Sequence, residues 1–157
     1  MLFVCMGNIC RSPTAEAVFR HLAPRLAPGL DIEIDSAATH DYHLGAAPDP
    51  RTQRVAKAQG IDMSELRARR LVAEDFERFD WIIVMDERNR LDALSLAPAK
   101  ATAQLHRLLD FAPGQPLRDV PDPYYGGPAQ FAQVLGLIEL AVRGLIETLR
   151  MRALAQP

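Results

Sequence analysis

A chain of 157 residues suits a single domain, residues 1–157, with one core, and 48% hydrophobic with 24% charged residues is an ordinary globular mixture. A net charge of −2 without a basic run argues against a nucleic-acid partner, and two cysteines make neither a disulfide scaffold nor a structural zinc site. The opening residues lack the basic and apolar regions of a secretory signal, and no window reads as the roughly 20 apolar residues of a membrane helix, so a soluble, cytoplasmic protein is expected.

Strand and helix signals alternate along the chain. Met1–Cys5 is a short apolar strand. Ser12-Pro13 then places an N-cap before a proline at the first helical position, and the helix carries Ala15, Val18, Phe19 and Leu22 on one face before stopping near Pro24. Ile32-Glu33-Ile34 reads as a second strand that ends in Asp35-Ser36-Ala37-Ala38-Thr39. Asp49-Pro50 restarts a helix that Gly60 closes. Trp81–Met85 is a solid apolar run, as a strand covered on both faces requires, and Asp86 caps the helix that follows, to about Ser95. Gln104–Leu108 is a weaker fourth strand. A loop dense in proline and glycine runs from Pro113 to Pro128, and a final helix to about Met151 repeats apolar residues at helical spacing. The alternation implies an α/β fold, with a parallel sheet, helices on both faces and right-handed crossovers. Ligands of such sheets bind beyond the carboxyl ends of the strands, where Cys5 sits.

The segment from Cys5 to Ser12, "CMGNICRS", carries the chemistry. Backbone N–H groups of a tight loop converge on an anion, and the helix N-terminus that follows adds positive partial charge. Gly7 and Asn8 tolerate left-handed backbone angles, so the loop can curl. Arg11 offers a planar fork for two phosphate oxygens. Met6, Ile9, Cys10 and Ser12 complete the loop. The same cradle stabilises a thiolate at Cys5, so the segment suggests nucleophilic attack on phosphorus. A nucleotide-binding P-loop does not fit, because the Gly-Lys-Ser/Thr ending is missing.

"VCMGNICRSPTAEAVF" resembles the signature loop of the low-molecular-weight protein tyrosine phosphatases, and "DSAATHDYHLGAAPDPR", "FDWIIVMDERN" and "VPDPYYGG" follow in the order of that family. The resemblance implies a four-stranded parallel sheet with flanking helices and hydrolysis of phosphomonoesters through a phosphocysteine, with no metal or cofactor. It implies that Asp122, between Pro121 and Pro123, is the general acid for the leaving group, with Asp119 the runner-up. Tyr124 and Tyr125 are then aromatic walls of the pocket, Tyr42 the opposite wall, and Ser36 a residue that hydrogen-bonds the loop through Asn8. Flat walls of this kind favour a flat aryl group. The sequence departs from the family pattern at Leu66, where many members carry a histidine that braces the loop, and at "SAAT", in place of Ser-Ala-Gly-Thr. Members usually begin several residues earlier, so the first strand is expected to be short.

The mechanism expected from these residues has Cys5 as nucleophile, Arg11 and the loop N–H groups as the oxyanion cradle, Asp122 as acid then base, and Ser12 as a donor to the departing thiolate. The expected partners are phosphotyrosine proteins and a tyrosine kinase, with inorganic phosphate as product and neither nucleic acid nor membrane. An arsenate reductase shares fold and loop but needs further cysteines for its disulfide relay. A cysteine phosphocarrier would not need Asp122. The phosphoarginine branch of the family tends to carry threonine where this chain has Ile9. Cys10 is read either as a small buried apolar residue or as a redox partner that captures oxidised Cys5 as a disulfide.

Overall fold

The computed structural model describes residues 1–156. Four parallel strands, β1 (Leu2–Cys5), β2 (Asp35–Ala38), β3 (Trp81–Val84) and β4 (Gln104–Arg107), lie in the order β2-β1-β3-β4. Order and connectivity make this the expected α/β sheet, with β1 central and Cys5 at its carboxyl end. Period-two alternation splits the strands between two cores. Phe3, Trp81 and Ile83 face one side, against α1 (Arg11–Leu26) and α5 (Pro128–Ala155). Leu2, Val4, Ile82 and Val84 face the other, with Phe76 of α3 (Asp75–Arg78) and Ala93 of α4 (Glu87–Leu96). Both faces are covered, so the two central strands, β1 and β3, read as unbroken apolar runs. Phe3 is fully buried, and truncating such a ring to alanine costs about 3–5 kcal/mol.

Several boundaries differ from expectation, each for a local reason. The second strand is Asp35–Ala38 rather than Ile32–Ile34, because Leu2, the first residue of β1, lies opposite Asp35. Ile34 is buried just before the paired stretch. Helix α1 begins at Arg11 with Cys10 as N-cap, so Ser12 and Pro13 lie inside the first turn and Ser12 makes no cap. Its hydroxyl is engaged by Cys5 and Asn8 instead. Pro24 sits inside the last turn of α1, which the Ala27 N–H closes onto Ala23 O at 2.9 Å. Asp49 caps α2 (Pro50–Lys57) through the Arg51 N–H, and Asp86 caps α4 through the Asn89 N–H, both as the sequence suggests. The short α3 and a 3₁₀ turn at Leu108–Phe111 carry too little periodicity to be read from sequence.

Helix α5 corrects the expectation that no segment is apolar enough to cross a membrane. It is 28 residues long, and its best 18-residue window has a mean hydropathy of 1.4 with half of the window buried in the protein. Its mean hydropathy stays high although polar residues interrupt the apolar ones at helical spacing, so a search for an unbroken run misses it. Phe131, Leu135, Ile138, Val142 and Leu145 supply the buried stripe. Gly144 lets the 3₁₀ turn dock on this helix, since a Cβ there would lie 1.9 Å from Phe111 O.

Candidate active site

The site is built where β1 runs into α1. Asn8 takes a left-handed backbone (φ 57°), which turns the loop back over the end of β1. Its N–H donates to Cys5 Sγ at 3.3 Å, and Ser12 Oγ lies 3.0 Å from the same sulfur. Gly7 is not in the left-handed region, contrary to expectation. Its lack of a side chain serves close packing instead, since a Cβ would meet His43 Cδ2 at 3.0 Å.

The loop is braced through one side-chain amide. Asn8 Nδ2 donates to Ser12 Oγ at 2.8 Å and to Ser36 Oγ at 3.0 Å, while its Oδ1 accepts from the Arg69 N–H at 3.1 Å. Ser36 thus bonds the loop through Asn8 as expected, and its own hydroxyl donates to buried Glu16 at 2.6 Å. Leu66 takes no part in this network. It packs against the main core, and the brace is complete without a histidine there. Two backbone bonds extend the β1–β2 pairing beyond the sheet, Thr39 N–H to Cys5 O at 2.9 Å and His40 N–H to Met6 O at 3.0 Å.

Arg11 is only 2% exposed, far from the surface position that is ordinary for an arginine. Its Nη1 donates to Asp86 Oδ2 at 2.5 Å and to Val120 O at 3.0 Å, and its Nη2 lies 3.5 Å from Asp122 Oδ2. Burial by itself disfavours the charge, but the negative charges of Cys5, Asp86 and Asp122 outweigh it and hold the guanidinium above its ordinary value. Asp86 and Glu16 were not legible as parts of the site. The first reads as a helix cap and the second as a helix-surface charge, and no sequence signal marks either as a partner of the loop.

Above the loop lies a cleft of about 430 Å³. Cys5, Met6, Gly7, Ile9, Cys10 and Arg11 form its floor, and Tyr42, Asp122, Tyr124 and Tyr125 stand around it as expected. His43 also lines it, a residue the sequence reading missed; its ring centroid is 5.8 Å from that of Tyr124. Asp122 Oδ1 accepts from the Tyr124 N–H at 3.1 Å, so its own loop orients the carboxyl. Asp119 does not line the cleft and pairs with Arg107 at 3.2 Å. Cys10 is buried, and burial pushes its thiol up to about 12. Among the described residues no group of three or more His, Cys, Asp or Glu side chains is placed to hold a metal ion.

A thiol held by the Asn8 N–H and the Ser12 hydroxyl, a buried guanidinium and a carboxyl at the rim define a cysteine-based site for a tetrahedral oxyanion. Comparison with known proteins makes the assignment specific. Residues 1–154 match the family described as low molecular weight phosphotyrosine protein phosphatase. The chain is 41% identical over 150 residues to the low molecular weight protein-tyrosine-phosphatase YfkJ of Bacillus subtilis, covering 96% of this chain and 95% of that protein. It is 41% identical over 149 residues to the human low molecular weight phosphotyrosine protein phosphatase, covering 94% of this chain and 93% of that one. The crystal structure of a protein tyrosine phosphatase from Entamoeba histolytica, with Hepes in its active site, superposes with a TM-score of 0.90 at 37% identity, over 97% of each chain. This chain belongs to the low-molecular-weight phosphotyrosine protein phosphatase family.

Proposed function

We infer that the protein is a cysteine-dependent protein tyrosine phosphatase that hydrolyses aryl phosphomonoesters through a phosphocysteine. The observation that carries this reading is Cys5 Sγ held by the Asn8 N–H and Ser12 Oγ on the floor of a cleft that Asp122 overlooks.

In the first step the Cys5 thiolate attacks phosphorus in line with the aryl oxygen. The S–P bond forms as the P–O bond breaks, and Asp122 delivers its proton to the departing phenolate. Arg11 and the loop N–H groups hold the equatorial oxygens, where charge is spread in the transition state. In the second step water attacks the phosphocysteine, Asp122 takes the water's proton, and inorganic phosphate leaves. The Ser12 hydroxyl donates to the thiolate released. Asn8 Nδ2 already donates to Ser12 Oγ, which leaves the hydroxyl proton free to point at sulfur. The aromatic rings of Tyr42 and Tyr124 suit a flat aryl group.

Phosphotyrosine proteins are the proposed substrates, with a tyrosine kinase as functional counterpart and the cytoplasm as location. Neither nucleic acid nor a membrane is a proposed partner. Steady release of phosphate from a phosphotyrosine peptide in the presence of a chelator tests the reading. Cys5→Ser is expected to lose on the order of 10⁴-fold or more in kcat while keeping its circular dichroism and melting temperature. Folded Cys5→Ser with near-normal turnover would remove Cys5 as nucleophile. Faster turnover of phosphoarginine than of phosphotyrosine would move the enzyme to the other branch of the family, against the expectation from Ile9.

A further inference from the structure

We propose that Arg51 is a positioning residue for the general acid, tying the far side of the acid loop to the phosphate loop so that the Asp122 carboxyl stays over the cleft; this rests on the phosphatase reading above. The need arises from exposure. The Asp122 side chain is nearly half exposed, so packing alone does not fix it. Its loop is attached on either side of it. On the near side Val120 is fully buried, and its carbonyl accepts from Arg11 at 3.0 Å. On the far side stands Tyr124, whose N–H donates to Asp122 Oδ1 at 3.1 Å. A carboxyl bonded to the residue two places on is only as well placed as that residue.

Arg51 does not line the cleft, but it meets the wall that does. Its guanidinium carbon lies 5.6 Å from the centroid of the Tyr124 ring and 4.6 Å from that of Phe131, near the start of α5. Both distances are within reach of a cation–π contact. One cation is thus shared between a ring of the acid loop and a buried ring of the helix that follows it.

The cation is itself anchored to the phosphate loop. Arg51 Nε and Nη2 donate to the two oxygens of Asp49 at 3.0 and 2.8 Å. This fork holds the Asp49 carboxyl below the usual carboxylate range. The Asp49 N–H in turn donates to Ile9 O at 2.9 Å. A continuous chain of contacts therefore runs from Ile9 through Asp49, Arg51 and Tyr124 to Asp122. With the Arg11–Val120 bond it holds the acid from both sides. A planar guanidinium suits the task, because its edge forks to a carboxylate while its face can lie on a ring. A lysine offers charge without the fork.

The test reads the acid through the leaving group. kcat/KM is measured for phenyl phosphate, which needs the proton, and for nitrophenyl phosphate, which needs it less. Arg51→Met should lower the phenyl-to-nitrophenyl ratio by about fivefold, the factor that one cation–π contact at a half-exposed site can supply. Arg51→Lys should fall between Arg51→Met and wild type. In an Asp122→Asn background, Arg51→Met should leave the ratio as it is, since no acid remains to be positioned. If Arg51 only stapled the start of α2, its loss would lower the melting temperature and slow both substrates alike. An unchanged ratio in both Arg51→Met and Arg51→Lys, or an equal fall in the ratio with and without Asp122, would overturn the proposal. Wild-type enzyme that releases phosphate from neither substrate would defeat the phosphatase reading, and this proposal with it.

Discussion

The two halves of the site are built on opposite principles. In the cradle, Asn8, Arg11 and Ser12 are each no more than 2% exposed, and each makes polar bonds within the protein. In the loop of residues 113–127 that carries the acid, the Asp122 side chain is 46% exposed and the Tyr125 ring is almost fully in solvent. The acid loop is tied to the rest through Val120, whose N–H donates to Met85 O at 2.8 Å and whose carbonyl accepts from Arg11. The difference matches the tasks. Binding a dianion at its transition state needs donors that do not reorganise, because their orientation has been fixed by folding. Transferring a proton and admitting water needs a carboxyl at a wet rim.

The largest expected effect breaks the rigid half. Arg11→Lys keeps the charge but loses the fork that serves both Asp86 and the phosphate, so kcat should fall on the order of 10²-fold or more, nearly as far as in Arg11→Ala. A loss below about tenfold would reduce Arg11 to a general positive charge.

Next comes the wet half. Asp122→Asn should slow phenyl phosphate by about 10²-fold, within the range for loss of a general acid, and nitrophenyl phosphate much less, because its leaving group needs the proton less. Equal slowing of both substrates would show that Asp122 holds the loop rather than moving a proton. Asp119→Asn, remote from the cleft, should leave the ratio of the two rates as it is.

A smaller effect sharpens the comparison from behind the cradle. Ser36→Ala removes an acceptor from Asn8 and a donor from Glu16, which is then left with Arg20. Leaving a buried polar group short of a partner costs about 1–3 kcal/mol, to be read as a lower melting temperature. Its effect on kcat should be smaller than that of Arg11→Lys, since the phosphate donors themselves remain.

The smallest effect under reducing conditions concerns Cys10. Burial keeps its thiol neutral, so alkylation between pH 7 and 9 should reach Cys5 first. The folded state holds the proton more tightly than the unfolded chain does. The stability this contributes is fully present below the ordinary value of 9.0 and is lost as pH rises towards about 12. Both cysteines border the same cleft. On the redox reading, peroxide inactivates the wild type reversibly through a Cys5–Cys10 disulfide that mass spectrometry detects, and Cys10→Ser recovers less completely with a thiol reductant. Equal recovery without a crosslink would leave Cys10 as packing alone.

The sequence by itself determined what is local. The apolar runs of β1 and β3 follow from side-chain hydropathy. The Asp49 and Asp86 caps follow from residues a turn or less apart, and Cys5, Arg11 and Ser12 share one loop. Asp122 and Tyr124 were legible because the prolines around them mark a stiff loop, and the family resemblance supplied its place over the cradle. Only the tertiary structure decided the rest. The register that starts β2 at Asp35 depends on where β1 begins. The second role of Asp86, as the clamp on Arg11, joins residues 75 positions apart. Asn8 is braced by Ser36 and the Arg69 backbone, and Gly7 makes room for His43 rather than for a left-handed turn. Hydropathy, caps and motif spacing act along the chain, within a few residues. These contacts act across it, between segments that meet only when the parallel sheet brings the carboxyl ends of β1, β2 and β3 to one edge.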